Sequence, residues 1–127
     1  MLEEILGDED DDLMVRHEAA EALGAIGHQS SLPILTKYSG EEEVEVEVRE
    51  TCELAIGRIE WMISTNENEE EEENEEELDE NPYNSVDPTP PSHTTTSTPD
   101  LREQLLDDSI PLFLRYRAMF SLRNRCF

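Results

Sequence analysis

Two similar segments that lie 33 positions apart constrain the fold of this chain more than any other sequence feature. The first is VRHEAAEALGAIG, from Val15 to Gly27, and the second is VRETCELAIGRI, from Val48 to Ile59. Each has apolar and small residues at the spacing of an amphipathic helix. The alternating run at 44–48 would alone suggest a strand, but it leads into the second segment, so a helix is expected there. Self-similarity at this period is typical of helical repeats, so the sequence predicts an all-α fold of α-solenoid units.

Glycine, proline and serine residues indicate where the first helices begin and end. One helix is expected over about 13–26, with Gly27 as its stop. Its apolar stripe is predicted to consist of Val15, Ala19, Ala22, Leu23 and Ile26. A short helix follows, with Ser30 or Ser31 as its cap and Gly40 at its end.

Composition divides the chain into three parts, residues 1–64, 65–98 and 99–127. The middle part has a Glu/Asn-rich run followed by Pro, Thr and Ser, and no Lys or Arg occurs from Ile59 through Leu101. Too few apolar groups are present there to offset the entropy of ordering, so residues 65–98 are expected to form a disordered acidic linker. The flanking parts are expected to be helical-repeat pieces.

The last part begins with helix-forming signals. Thr98 is predicted to cap a helix, Pro99 to occupy its first position, and Asp100 to favour the positive end of its dipole. Its predicted inner side consists of Leu101, Leu105 and Leu106. Pro111 opens another helix, whose broad apolar face is expected to find no partner within the chain.

Acidic residues dominate the composition and limit the classes of partner. The chain has 33 Asp and Glu against 9 Lys and Arg, a formal net charge of -24. Nucleic-acid binding needs clustered basic residues, so it is not predicted. Cys52 and Cys126 form no metal-binding or disulfide spacing, which fits a reducing compartment. No run approaches the roughly 18 apolar residues of a membrane span, and no signal peptide is recognisable, so a cytoplasmic protein without membrane association is expected.

The first repeat segment places a histidine beside a carboxylate. At about 100° per residue, His17, Glu18 and Glu21 share the helix face away from the predicted apolar stripe. Imidazole and carboxylate ligands suit a first-row metal such as iron, manganese or zinc, although other helices would have to complete the site. Considered alone, the dipeptide is more simply explained as two solvated polar side chains, so both interpretations stand.

Other chemistry-bearing residues give weaker signals. Glu21 stands where a zinc-protease HExxH motif needs its second histidine, so that class is not predicted. His28 follows a predicted helix and is expected to interact with its C-terminus. His93 lies in the predicted linker and is expected to be inert. Cys52 is expected to be a small packing residue.

Several segments, in order along the chain, resemble the deoxyhypusine hydroxylase family. They are Met14–Gly27, Arg49–Cys52, Ile59–Trp61, Pro82–Pro88 and Leu112–Asn124. The resemblance implies HEAT repeats in two pseudo-symmetric halves joined by a variable linker. It further implies a non-haem di-iron centre held by four His-Glu pairs. That centre activates O₂ to hydroxylate the deoxyhypusine side chain of a eukaryotic translation factor to hypusine.

The resemblance also assigns roles to particular residues. His17 and Glu18 resemble the second His-Glu pair of the family and are expected to be iron ligands. Tyr116 and Arg117 occupy the corresponding helix positions after the linker, as expected for a family repeat that binds no iron. The other three pairs are not in this sequence, so the chain is expected to be an internal fragment of this monooxygenase, with a truncated C-terminal half and no activity alone. The alternative is a non-catalytic HEAT-repeat adaptor that binds a protein partner.

Overall fold

The structure, a computed structural model, describes residues 1–68 and 77–126. The chain divides into two compact units, Met1–Thr65 and Asn66–Phe127. Within the described ranges the regular elements are helices, and one isolated antiparallel bridge joins Leu78 to His93. The all-α prediction is therefore confirmed. None of the helices in those ranges has the length and apolar character needed to cross a membrane.

The N-terminal unit is built from helices whose ends match local sequence signals. They are α1 (Leu2–Gly7), α2 (Leu13–Ile26), the 3-10 helix Gln29–Ser31, α3 (Leu32–Gly40) and α4 (Val46–Asn68). Asp12 begins α2, because its carboxylate accepts a hydrogen bond from the backbone N–H of Met14 at 2.9 Å. Gly27 ends α2 in the left-handed conformation with φ of 77°, as predicted. Helix α4 begins at Val46, so the alternating run at 44–48 enters a helix.

The buried face of α2 is rotated relative to the predicted stripe. Val15 and Ile26 are 44% and 50% exposed, and Arg16 is only 4% exposed. The buried residues of α2 are Arg16, Ala19, Ala20, Leu23 and Gly24. The predicted stripe contained only apolar residues and so left out Arg16, which is buried. Its Nε donates to the carbonyl of Leu6 at 3.0 Å, and its guanidinium lies 5.3 Å from the centre of the Tyr38 ring, so the buried charge has partners.

Helices α2 and α4 run parallel and approach each other closely. His17 contacts Thr51, Gly24 lies against Ala55, and Gly27 lies against Met62, so contacts advance in the same direction along both helices. A Cβ at Gly24 would lie 2.9 Å from both the Cα and the Cβ of Ala55. The two similar segments thus stack directly on each other, as repeats in a solenoid do. Around this contact between α2 and α4, the core of the N-terminal unit contains Leu6, Leu23, Leu35, Tyr38, Val48, Cys52 and Ile59.

The C-terminal unit contains α5 (Thr98–Leu106) and α6 (Leu112–Arg125). Ser97, not Thr98, caps α5: its hydroxyl accepts from the backbone N–H of Asp100 at 3.2 Å. Leu101 is fully buried as predicted, but Leu106 is 70% exposed. The position of the cap was missed by one residue because both neighbours are good capping residues.

Residues 77–97, which lie within the predicted linker, contact α6, and the disorder of 65–98 stays a prediction. Arg125 pairs with Asp79 at 2.8 Å and donates to the carbonyl of Thr96 at 2.6 Å. The Ser92 backbone N–H donates to the buried Ser121 hydroxyl at 2.7 Å. Arginines and a serine of α6 thus supply hydrogen bonds that composition did not indicate. The rest of the acidic run, residues 69–76, lies outside the described residues.

Candidate metal centre

His17 lies on α2 between two carboxylates of the same helix. Its Nε2 is 3.5 Å from Glu21 Oε2 and 3.9 Å from Glu18 Oε1. Residues four apart lie one helical turn above each other, which explains why Glu21 reaches the ring. One ligand atom from each of the three side chains lies within 4.8 Å of the others. The structure therefore brings together the predicted pair, His17 and Glu18, and adds Glu21, which the sequence had placed only on the same face.

The site is partly open to solvent. The side chains of His17, Glu18 and Glu21 are 28%, 69% and 36% exposed. The imidazole is thus packed along one edge, while the carboxylates face outward. Ligands from outside this helix can reach this face. Such access is needed because the three side chains alone do not complete a coordination sphere.

The packed edge of His17 faces helix α4. His17 Nδ1 lies 2.6 Å from the hydroxyl oxygen of Thr51, which is 7% exposed. The same hydroxyl oxygen lies 2.8 Å from the backbone carbonyl of Glu47, one turn earlier in α4. Sequence reasoning missed Thr51. The repeat period could have indicated it, because parallel stacking of repeat helices places residues about one period apart side by side.

The neighbouring thiol is unsuited to metal binding. Burial raises the pKa of Cys52 to about 12, although Arg16 acts weakly in the opposite direction. A metal-binding cysteine must be a thiolate, so this residue stays a neutral core group. Its full burial confirms the prediction that it is a packing residue.

The two remaining histidines lie elsewhere. His28 is exposed and precedes the 3-10 helix. His93 belongs to the C-terminal unit, where it forms the bridge with Leu78 and its carbonyl accepts from Arg125 at 3.2 Å. Within the described ranges, the group around His17 is the one set of three such side chains close enough to share an ion.

The donor set is chemically suited to a first-row metal such as iron, manganese or zinc. It combines one imidazole nitrogen with carboxylate oxygens, and it leaves coordination positions open. Two carboxylates also balance the charge of a divalent ion. Three side chains on one helix leave coordination positions unfilled, so further ligands would have to come from outside this group.

Comparisons with known proteins agree with the family resemblance. Residues 1–58 match the family described as HEAT repeats. The chain is 52% identical to a deoxyhypusine hydroxylase of Danio rerio over 97% of its own length and 38% of that protein. It is 51% identical to the enzyme of Candida albicans, covering 97% of this chain and 37% of the relative.

A solved structure gives the same result in three dimensions. Human deoxyhypusine hydroxylase in complex with glycerol is 48% identical, with a TM-score of 0.77, and the match covers 97% of this chain and 38% of that one. The chain therefore spans well under half the length of the relatives that it matches. Together these similarities confirm the predicted resemblance and relate the chain, over nearly all its length, to the deoxyhypusine hydroxylases.

Proposed function

We propose that this chain supplies one His-Glu pair to the iron centre of a deoxyhypusine monooxygenase. The observation that carries the proposal is the position of His17 Nε2, which faces the carboxylates of Glu18 and Glu21 on the exposed side of α2. The name of the relatives, deoxyhypusine hydroxylase, supports the reaction class, hydroxylation of deoxyhypusine. That this group is a side chain of a eukaryotic translation factor is part of the proposal and rests on the family resemblance. The complete enzyme would hold two irons and use O₂ as co-substrate.

Each side chain of the group has a distinct task in this proposal. His17 provides a nitrogen lone pair from Nε2, and Glu18 provides an anionic oxygen. Glu21 contributes a second negative charge beside the imidazole. Iron, when bound, supplies the activation of O₂. The strongly acidic character of the chain would also attract the amine-bearing substrate side chain.

We expect the 127-residue chain alone to lack hydroxylase activity. One imidazole and two carboxylates from a single helix cannot fill the coordination positions of two iron ions. A cytoplasmic location and the absence of nucleic-acid and membrane partners stay predictions from the sequence.

Metal titration of the full chain tests the proposal. Co²⁺ reports coordination by its absorption spectrum, and Fe²⁺ is then titrated without oxygen. His17→Ala should abolish a site that the unmodified chain shows, while His28→Ala, which removes an exposed imidazole elsewhere, should leave it intact. Unchanged binding by His17→Ala would refute the assignment. The alternative adaptor function predicts no specific metal site, so neither substitution should change metal binding.

A further inference from the structure

We propose that Thr51 is a positioning residue that holds His17 with its proton on Nδ1, so that the Nε2 lone pair faces Glu18 and Glu21. A metal ligand must offer an unprotonated ring nitrogen, and the hydrogen bond at the other nitrogen sets which one is free. The ligand role of His17 rests on the proposed function. The effect of Thr51 on the imidazole does not, and it can be measured without metal.

The hydrogen atoms around Thr51 Oγ1 decide the tautomer. The hydroxyl has one hydrogen and two short polar contacts, 2.8 Å to the carbonyl of Glu47 and 2.6 Å to His17 Nδ1. A carbonyl cannot donate, and two oxygens 2.8 Å apart without a hydrogen between them repel each other. The hydroxyl hydrogen therefore lies toward Glu47, as is common for threonine in a helix. The hydrogen in the contact with His17 must then come from Nδ1.

The surroundings of Nε2 agree with this assignment. Its distances to Glu21 and Glu18, 3.5 and 3.9 Å, exceed the 2.7 to 3.2 Å that is usual for a hydrogen bond. A proton on Nε2 would be expected to draw one of the carboxylates closer. The separation instead leaves space among the nitrogen and the two oxygens where a cation would bind.

Thr51 is well placed to keep this arrangement rigid. It is itself buried, and on α4 it is flanked by Val48, Cys52 and Ala55, which are buried in the core. Its branched Cβ limits the hydroxyl to few rotamers, and the Glu47 carbonyl selects one of them. The close contact of Gly24 with Ala55 then sets the distance between the two helices.

The first test is the tautomer of His17 in the metal-free chain. Nitrogen-15 chemical shifts of the full chain labelled at histidine distinguish Nδ1–H from Nε2–H at about pH 8.5, where imidazoles are ordinarily neutral. The chain has only three histidines, so loss of one signal set in His17→Gln assigns the resonance. We expect Nδ1–H in the unmodified chain and a shift toward Nε2–H in Thr51→Val. Thr51→Ser, which restores a hydroxyl, should restore Nδ1–H.

Thr65→Val is the matched control. Thr65 lies on the same helix, and its hydroxyl also donates to a backbone carbonyl, that of Met62 at 3.0 Å, but it is exposed and does not contact His17. This variant should leave the tautomer unchanged. An Nε2–H tautomer in the unmodified chain, or an unchanged tautomer in a folded Thr51→Val, would overturn the proposal.

The second test is Co²⁺ affinity in the same variants. Loss of a hydrogen bond that orients a ligating histidine typically weakens metal affinity about 10- to 100-fold. We expect that loss for Thr51→Val, and near-normal affinity for Thr51→Ser and Thr65→Val. Equal affinity for Thr51→Val and Thr65→Val would overturn the positioning role. If the unmodified chain bound no Co²⁺, the metal function would fail, while the tautomer measurement would still decide the effect of Thr51 on His17.

Discussion

Replacing Gly24 with alanine tests the close packing that brings α2 and α4 together. The added Cβ would lie 2.9 Å from the Cα and Cβ of Ala55. Carbon atoms in favourable contact are about 3.5 to 4.0 Å apart, so the helices would have to separate by about 0.6 to 1 Å. One of the opposing atoms is backbone, which cannot move aside without moving α4.

Two effects of the substitution oppose each other. Alanine favours a helix interior over glycine by about 1 kcal/mol. Overpacking of a core typically costs about 1 to 3 kcal/mol, and here it acts on a contact between two backbones. We therefore expect Gly24→Ala to lower the free energy of unfolding of the N-terminal unit by about 1 kcal/mol.

Gly40→Ala is the matched control for this prediction. Gly40 ends α3, and a Cβ there would meet nothing within 4 Å. The two variants should differ by about 1 to 3 kcal/mol in urea unfolding followed by far-UV circular dichroism, because only Gly24→Ala is overpacked. Separation of the helices should also lengthen the contact between Thr51 and His17 and weaken the Nδ1–H preference. Equal stability of the two alanine variants would show that the α2–α4 contact is not tight, and the reasoning would fail.

Three further predictions follow from burial and charge. Iodoacetamide should modify the exposed Cys126 in the native chain and reach the buried Cys52 only after unfolding, as mass spectrometry would show. Burial raises the pKa of Cys52 from 9.0 to about 12. Between these two pH values the thiol therefore keeps, in the folded chain, a proton that it loses in the unfolded chain. Stability should therefore fall as pH rises from 9.0 to about 12, by about 1.4 kcal/mol per pH unit from this group, and less steeply in Cys52→Ala. Arg123→Gln should speed hydrogen exchange in 81–87 but not in the N-terminal unit, because Arg123 pairs with Asp87 at 2.8 Å and lies 4.8 Å from the Tyr83 ring centre. Unchanged exchange there would show that these contacts do not hold the segment.

The helices and their repeat could be predicted because their signals are local. The apolar period, the stop at Gly27 and the similarity of the two segments are each properties of a few neighbouring residues. The same local reading located α2 at its observed bounds and excluded a strand at 44–48. From the residues alone, His17 and Glu18 were either metal ligands or, more simply, solvated polar side chains, and the family resemblance favoured the ligand role.

Long-range contacts account for the main differences. Arg16 is buried because a carbonyl of α1 and a ring of α3 surround its guanidinium. Residues 77–97 are held by arginines of α6, and Arg125 lies 46 positions from its partner Asp79. Composition describes how many apolar groups a segment has, but it does not show which charges from elsewhere will pair with it.

The amino-acid sequence by itself determined the helical repeat, the acidic character and the His-Glu pair, because these depend on residue type and spacing. Only the tertiary structure decided what lies beside the pair. Parallel stacking of α2 and α4 brings Thr51 against His17 from 34 positions away, and the helix turn brings Glu21 to its other nitrogen. The tautomer and orientation of a ligating histidine depend on such neighbours. Residues that are distant in the sequence become neighbours only when the repeat helices pack in the folded chain.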